Sequence, residues 1–240
     1  MKICIIGNSH IACVKKAWDE LSLSASHPHQ VTFFGSHADT FINTESNSTG
    51  LFPKNDQVRK SFILTSGGEE IVIFNKYDLF FLHGFSPSFR NYYSLYNYFE
   101  SRFASSDFKK DSFMNISDTM SILLKHMINT QKPVFVTPRP SKAMDDYDKV
   151  LDSDKVNDDV YRKVIAYIEN GFESIGFKYL HQPQETLIYN NFTKKEYNTS
   201  GIGLGKIPKK DNDQILSSKN LTHMNKAYGK VYLEDIFRNL

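Results

Sequence analysis

The chain has 240 residues, 40% of them hydrophobic and 14% aromatic, and a formal net charge of +2. That length suits one sizeable α/β domain, and the near-neutral charge offers no basic footprint for nucleic acid. No run approaches the roughly 18 apolar residues of a membrane span, and Met1-Lys2 leads straight into a strand rather than a secretory apolar region, so the expectation is a soluble cytoplasmic protein.

The first apolar run, Ile3–Ile6, is short, continuous and β-prone, and it stops at Gly7. Gly7-Asn8-Ser9-His10 follows, so Ser9 falls just past a strand, where α/β proteins place their chemistry. Ala12–Leu21 has a helical pattern, with Trp18 and Leu21 spaced to face a sheet. The two cysteines, Cys4 and Cys13, read as buried apolar positions rather than a disulfide. No Cys/His array has zinc-ligand spacing, and His27-Pro28-His29 is a loop signal, so neither a metal nor a cofactor is expected.

Val31–Phe34 is the second strand, ending in Phe33-Phe34-Gly35-Ser36-His37. Beyond a polar loop, Ser61–Thr65 and Glu70–Phe74 flank Ser66-Gly67-Gly68, which reads as an inserted β-hairpin at about 58–76. Leu79–Leu82 is the third strand and runs into His83-Gly84-Phe85-Ser86. Tyr92, Tyr93, Tyr96, Phe99 and Phe103 then recur at near-helical spacing, a core-facing helix side in preference to an aromatic wall for a sugar.

Ser117–Asn129 reads as a helix and Val134–Val136 as the fourth strand. Arg139, between Pro138 and Pro140, lies where it could bind a carboxylate or phosphate at a pocket rim, or form a surface ion pair. Asp158–Ile175 is helical and Phe177–Leu180 is the fifth strand. Gln184 to Ser218 reads as a long, partly irregular loop. Within it, Gly201-Ile202-Gly203-Leu204-Gly205 resembles a phosphate loop only superficially, since it lacks the Lys-Ser/Thr ending. Met224–Phe237 is helical, with Ala227, Tyr228, Val231, Tyr232 and Ile236 on its apolar face, and it begins directly after His223.

Strands alternating with helices argue for a parallel sheet with right-handed crossovers. Such a sheet brings Ser9, Gly35 and Gly84 to one edge. A serine hydroxyl attacks well only when a base removes its proton, and histidine, with an unperturbed pKa of about 6.5, suits that task. The developing oxyanion needs aimed N–H donors, and a helix that opens at Ser9 points its first amides outward. His223 is the candidate base. His10, His37 and His83 fall at the same edge and are candidates to line a pocket.

On these residues the chain resembles the SGNH, or GDSL, hydrolase superfamily of esterases, lipases and O-acetyl-group enzymes. Gly7-Asn8-Ser9-His10 is similar to the family's Gly-Asp-Ser-x block, with Ser9 at the nucleophile position. Gly35 matches the second-block glycine, Gly84-Phe85-Ser86 lies where Gly-x-Asn-Asp is expected, and Asn220-Leu221-Thr222-His223 lies where the family has Asp-x-x-His. The resemblance implies a flavodoxin-like three-layer α/β/α fold with a five-stranded parallel sheet, and a single domain over residues 1–240.

It also implies an acyl-enzyme on Ser9 with His223 as base and Asn220 beside it. The oxyanion would be held by N–H groups of Ser9 and Gly35, with Gly84 or Ser86 nearby, and substrate would meet His10, His83, Phe85 and Arg139. The substrate class is a small-molecule or saccharide ester, with no nucleic acid partner and no cofactor. Three residues depart from the family pattern: Asn8 and Asn220 each replace an aspartate, and Ser86 replaces the oxyanion asparagine. An amide at 220 leaves three openings: a Ser–His dyad, help from a backbone carbonyl, Asp211 or Asp213, or low activity. The runner-up functions are an O-acyltransferase on a saccharide and a catalytically inactive binding protein.

Overall fold

A computed structural model describes residues 1–24, 28–100, 105, 108, 111–113, 115, 117–128, 130–147, 150–204, 213–217 and 220–240. Its centre is a five-stranded parallel sheet of β1 (Lys2–Gly7), β2 (Gln30–Gly35), β6 (Leu79–Ser86), β7 (Val134–Pro138) and β8 (Lys178–Tyr179), in the order β2-β1-β6-β7-β8. Counted within the sheet alone this is the flavodoxin-like order, whose switch point falls between β1 and the next strand in sequence beyond β2. That crevice opens between the carboxyl ends of β1 and β6, where Gly7 lies beside His83.

The alternation of side chains along β1 divides the core. Ile3 and Ile5 join the apolar layer under α1 (Ile11–Ser24) and α6 (Lys226–Arg238), with Trp18, Tyr228, Tyr232 and Ile236. Cys4 and Ile6 face the opposite layer, built on α2 (Asp56–Ser66), α3 (Phe89–Glu100), α4 (Asp118–Met127) and α5 (Asp158–Glu173). Both cysteines are free and buried, as expected of apolar positions. Tyr92 and Phe99 are core residues of α3, whereas Phe103 lies outside the described residues.

The first half of the segment read as a hairpin at 58–76 is instead a helix, and only Val72–Ile73 of the remainder is a strand. Asn55 caps α2 by accepting from the Val58 N–H, and Val58, Phe62 and Thr65 are buried at helical spacing. Gly67 ends it at φ 83, and the N–H groups of Gly67 and Gly68 both return to the Ile63 carbonyl. Gly-Gly here is thus a helix stop, a signal that short β-prone runs on either side disguised. A hairpin does exist, upstream: β3 (Thr44–Asn47) and β4 (Gly50–Pro53) turn at Ser48-Thr49, and β5 (Val72–Ile73) adds to β4. The stretch from Gln184 to Ser218 holds two short antiparallel ribbons, β9 (Leu187–Ile188) with β10 (Phe192–Thr193), and β11 (Ile202–Leu204) with β12 (Asp213–Ile215). No helix among the described residues is long and apolar enough to cross a membrane.

Candidate active site

Gly7 lets the chain turn from β1 into α1 within a few residues, since a Cβ there would meet Ile11 Cβ at 2.8 Å. Ser9 sits in that turn. The imidazole of His223, 214 residues further along the chain, reaches it with Nε2 2.9 Å from Ser9 Oγ. No described group accepts from the Ser9 N–H, and Ser9 lies just before the start of α1, where the helix dipole favours an anion.

Two glycines bring His223 this close. Gly229 on α6 packs on the backbone of α1, where a Cβ would fall 2.1 Å from the Cys13 carbonyl oxygen. Gly201 packs on the base loop itself, with a Cβ position 2.3 Å from the His223 carbonyl oxygen. α6 begins at Lys226, capped by Asn225 accepting from Tyr228 N–H, so His223 lies just before the helix rather than at its first residue. Asn198, buried, donates from Nδ2 to the carbonyls of both Asn220 and His223, at 2.9 and 2.6 Å, and so clamps the two ends of the base loop.

Asn220 does meet the base. Its Oδ1 is 3.2 Å from His223 Nδ1 and also accepts from the Thr222 and His223 backbone N–H groups and the Thr222 hydroxyl, each at 3.1 Å. The amide oxygen therefore orients the ring with Nδ1–H toward it and leaves Nε2 unprotonated toward Ser9, but it brings no negative charge. Asp211 and the Asp213 side chain lie outside the described residues. Burial first, and the neighbouring His37 second, hold the His223 imidazole below the usual histidine range, so it is neutral and able to accept a proton at neutral pH.

The oxyanion side departs from expectation. The Gly35 N–H donates to Thr65 Oγ1 on α2 at 2.8 Å, so this amide is already spent. The Ser86 hydroxyl pairs with Tyr92 Oη at 2.6 Å in the core, fully buried, and does not reach the site. Gly84 lies in a bulge of β6 at φ 80 and brings its carbonyl to Asn8, whose Nδ2 donates to it at 2.6 Å. That bond explains the first departure from the family block. Asn8 accepts the His10 N–H at Oδ1 and donates to a carbonyl with Nδ2, a task that an aspartate cannot perform. Of the four oxyanion candidates, Gly35 and Ser86 are therefore engaged elsewhere, whereas the Ser9 N–H has no acceptor among the described residues.

The substrate candidates also divide. Phe85 packs edge-on against Phe41 in the core, with ring centroids 4.8 Å apart, and His83 is fully buried, with Nδ1 3.0 Å from Thr137 Oγ1. Burial pushes His83 down to about 4, so it is a neutral core residue rather than a pocket wall. His10 is buried as well, underneath His223. Arg139 is exposed, its N–H fixed to the Ser86 carbonyl and its guanidinium 3.3 Å from Asn91 Oδ1. Next to the base loop an open cleft of about 540 Å³ is lined by Lys142, Ala143, Phe192, Lys195 and Leu221 among others, and Leu221 is held there by its carbonyl on Ala143 N–H. No group of three or more His, Cys, Asp or Glu side chains among the described residues is placed to hold a metal.

Sequence reasoning missed Thr65, Asn198 and Gly229. A Thr that caps a neighbouring strand's amide and an Asn that bridges two remote carbonyls leave no pattern in the sequence. Gly229, in the middle of an apolar helix face, is the one with a signal: glycine costs about 1 kcal/mol there and usually has a packing reason.

No family model matches the chain, and no curated protein matches it. Among solved structures it is similar to the periplasmic domain of the Salmonella ser. Paratyphi A lipopolysaccharide acetyltransferase, with 11% sequence identity and a TM-score of 0.43, over 99% of this chain and 82% of that one.

Proposed function

We propose that this chain is a divergent SGNH-type serine hydrolase that cleaves an ester, with an O-acetyl or other small acyl group on a carbohydrate as its substrate class. The observation that carries this reading is the 2.9 Å contact between Ser9 Oγ and His223 Nε2, made by residues at opposite ends of the described chain and held by three independent clamps. Ser9 Oγ attacks the acyl carbon as His223 Nε2 takes its proton. The oxyanion forms against the Ser9 N–H at the positive end of α1. Collapse expels the alcohol, which leaves with the proton from His223. Water, deprotonated by the same imidazole, then attacks the ester on Ser9, and the acid departs with Ser9 restored. The cleft beside Leu221 offers room for the alcohol portion of a saccharide ester.

The neutral Asn220 and the spent Gly35 amide favour a second reading, a binding protein built on the same fold. One experiment separates the two. Intact mass is measured after exposure to a fluorophosphonate, beside p-nitrophenyl acetate turnover, for wild type, Ser9→Ala and His223→Ala. The hydrolase reading requires a single adduct on Ser9 and loss of turnover in both variants. An unlabelled, folded wild type that turns over no faster than the variants overturns it in favour of the binding protein. Product partition with added sugar alcohols then distinguishes a hydrolase from an acyltransferase.

A further inference from the structure

Directly after the nucleophile, the ring of His10 lies flat against the ring of His223, with centroids 4.7 Å apart and planes inclined by 22°. Its place is built by the chain around it. The His10 N–H is held by Asn8 Oδ1 at 3.1 Å, its carbonyl accepts from Cys13 Sγ, and the missing side chain of Gly84 leaves room for it, a Cβ there falling 3.2 Å from His10 Cβ. The ring is 9% exposed, and its Nδ1 has no partner among the described residues. A buried histidine with an unpaired nitrogen is costly to keep unless the ring itself has a use.

The catalytic cycle supplies that use. When His223 takes the Ser9 proton it becomes a cation, and the group at its Nδ1 is an amide that cannot balance the charge. The nearest aromatic face is His10. We propose that His10 is a positioning residue for the reaction: its uncharged ring fixes the plane of His223 and favours the imidazolium through its π-face, taking up part of the task that a carboxylate performs in a complete triad. This rests on the hydrolase reading. Cations gain from a desolvated aromatic face, and stacking is the geometry that delivers the gain.

The groups around the pair are consistent with a neutral His10. His223, His83 on β6 and Arg139 after β7 all act on it in the same sense, after burial itself, and hold it well below the usual histidine range. His223 faces Ser9, Thr222, Asn220 and His37 in addition to His10, and none of these carries a negative charge.

The test replaces His10 with two buried, uncharged side chains that differ in the π-face: His10→Phe and His10→Leu. Imidazole NMR of the resting protein follows His223 through its titration, and kcat, KM and the acid limb of kcat/KM are measured on p-nitrophenyl acetate. Thermal unfolding first establishes that both variants fold. The expected result is a His223 titration in His10→Phe within a few tenths of a pH unit of wild type, and in His10→Leu at least half a unit lower, with kcat reduced about tenfold in the Leu variant alone and KM unchanged. If Phe and Leu titrate His223 alike, or give the same kcat where wild type turns over ester, the proposal is overturned. If the titrations split but wild type turns over no ester, the stack stands as a stabiliser of cationic His223 and the hydrolase reading is what fails.

Discussion

The two sides of the site are built to different standards. On the base side, Ser9 and His223 meet at hydrogen-bond distance, and Asn198, Gly201 and Gly229 all serve to keep the base loop where it is. On the oxyanion side, two of the expected donors are turned inward: Gly35 N–H to Thr65 and the Ser86 hydroxyl to Tyr92. A residue in the right place on the sheet edge contributes to catalysis only if its donor is unspent. On the hydrolase reading, the difference predicts a serine that is readily activated and an oxyanion that is less well stabilised.

The largest expected effect comes from restoring charge on the base side. Asn220 Oδ1 receives four donors, all of which a carboxylate accepts, and its amide nitrogen has no partner among the described residues. Asn220→Asp should fit without rearrangement. In a serine protease the opposite change costs roughly 10⁴ in kcat, so a gain of about 10² or more is expected here. Steady-state kinetics on p-nitrophenyl acetate measures it, and the acid limb of the profile should move to higher pH as the new carboxylate favours imidazolium. No gain would mean that the base is already adequately supported.

A smaller effect is expected at Thr65. Thr65→Val removes the hydroxyl that satisfies a buried amide and should cost about 1–3 kcal/mol of stability, read by chemical denaturation. Turnover of the folded variant should stay within about twofold of wild type, because the freed Gly35 N–H still points toward α2 rather than the site. A large rise in kcat would break the contrast between the two sides, since Gly35 would then be a restrained oxyanion donor.

The smallest effect is a pH dependence of stability. His10 and His83 have folded-state pKa values below the ordinary 6.5, chiefly through burial, with His83 near 4. Between those values the unfolded chain binds more protons than the folded one, so stability falls as the pH drops from about 6.5 toward 4 and is level above. Melting temperature followed across that range should show the decline, and His83→Gln should reduce it.

Most of the scaffold was legible in the sequence. Five apolar runs with helical patterns between most of them correspond to the five parallel strands, because strands buried on both faces read as continuous apolar runs. The pairing of Ser9 with His223 was an expectation from the resemblance of Gly7-Asn8-Ser9-His10 and Asn220-Leu221-Thr222-His223 to two family blocks, and the structure brings the two side chains together. The helix at Asp56–Ser66 was not legible, because Phe62, Ile63 and Leu64 form an apolar run that serves a strand as well as a helix, and the Asn55 cap lies well before that run begins. The fate of the oxyanion glycine was not legible either. It depends on which hydroxyl of a different element faces its amide, and that is settled only by the packing of α2 on β2.

The tight contact of Gly229 with Cys13 has a consequence in time as well as in space. Ser9 and His223 are separated by 214 residues, and the helix that follows His223 packs directly on the backbone of α1. A ribosome must therefore make nearly all of the described chain before Ser9 can meet His223. On the proposed reading, partly synthesised molecules carry Ser9 without its base, and the order of synthesis itself keeps incomplete chains inactive.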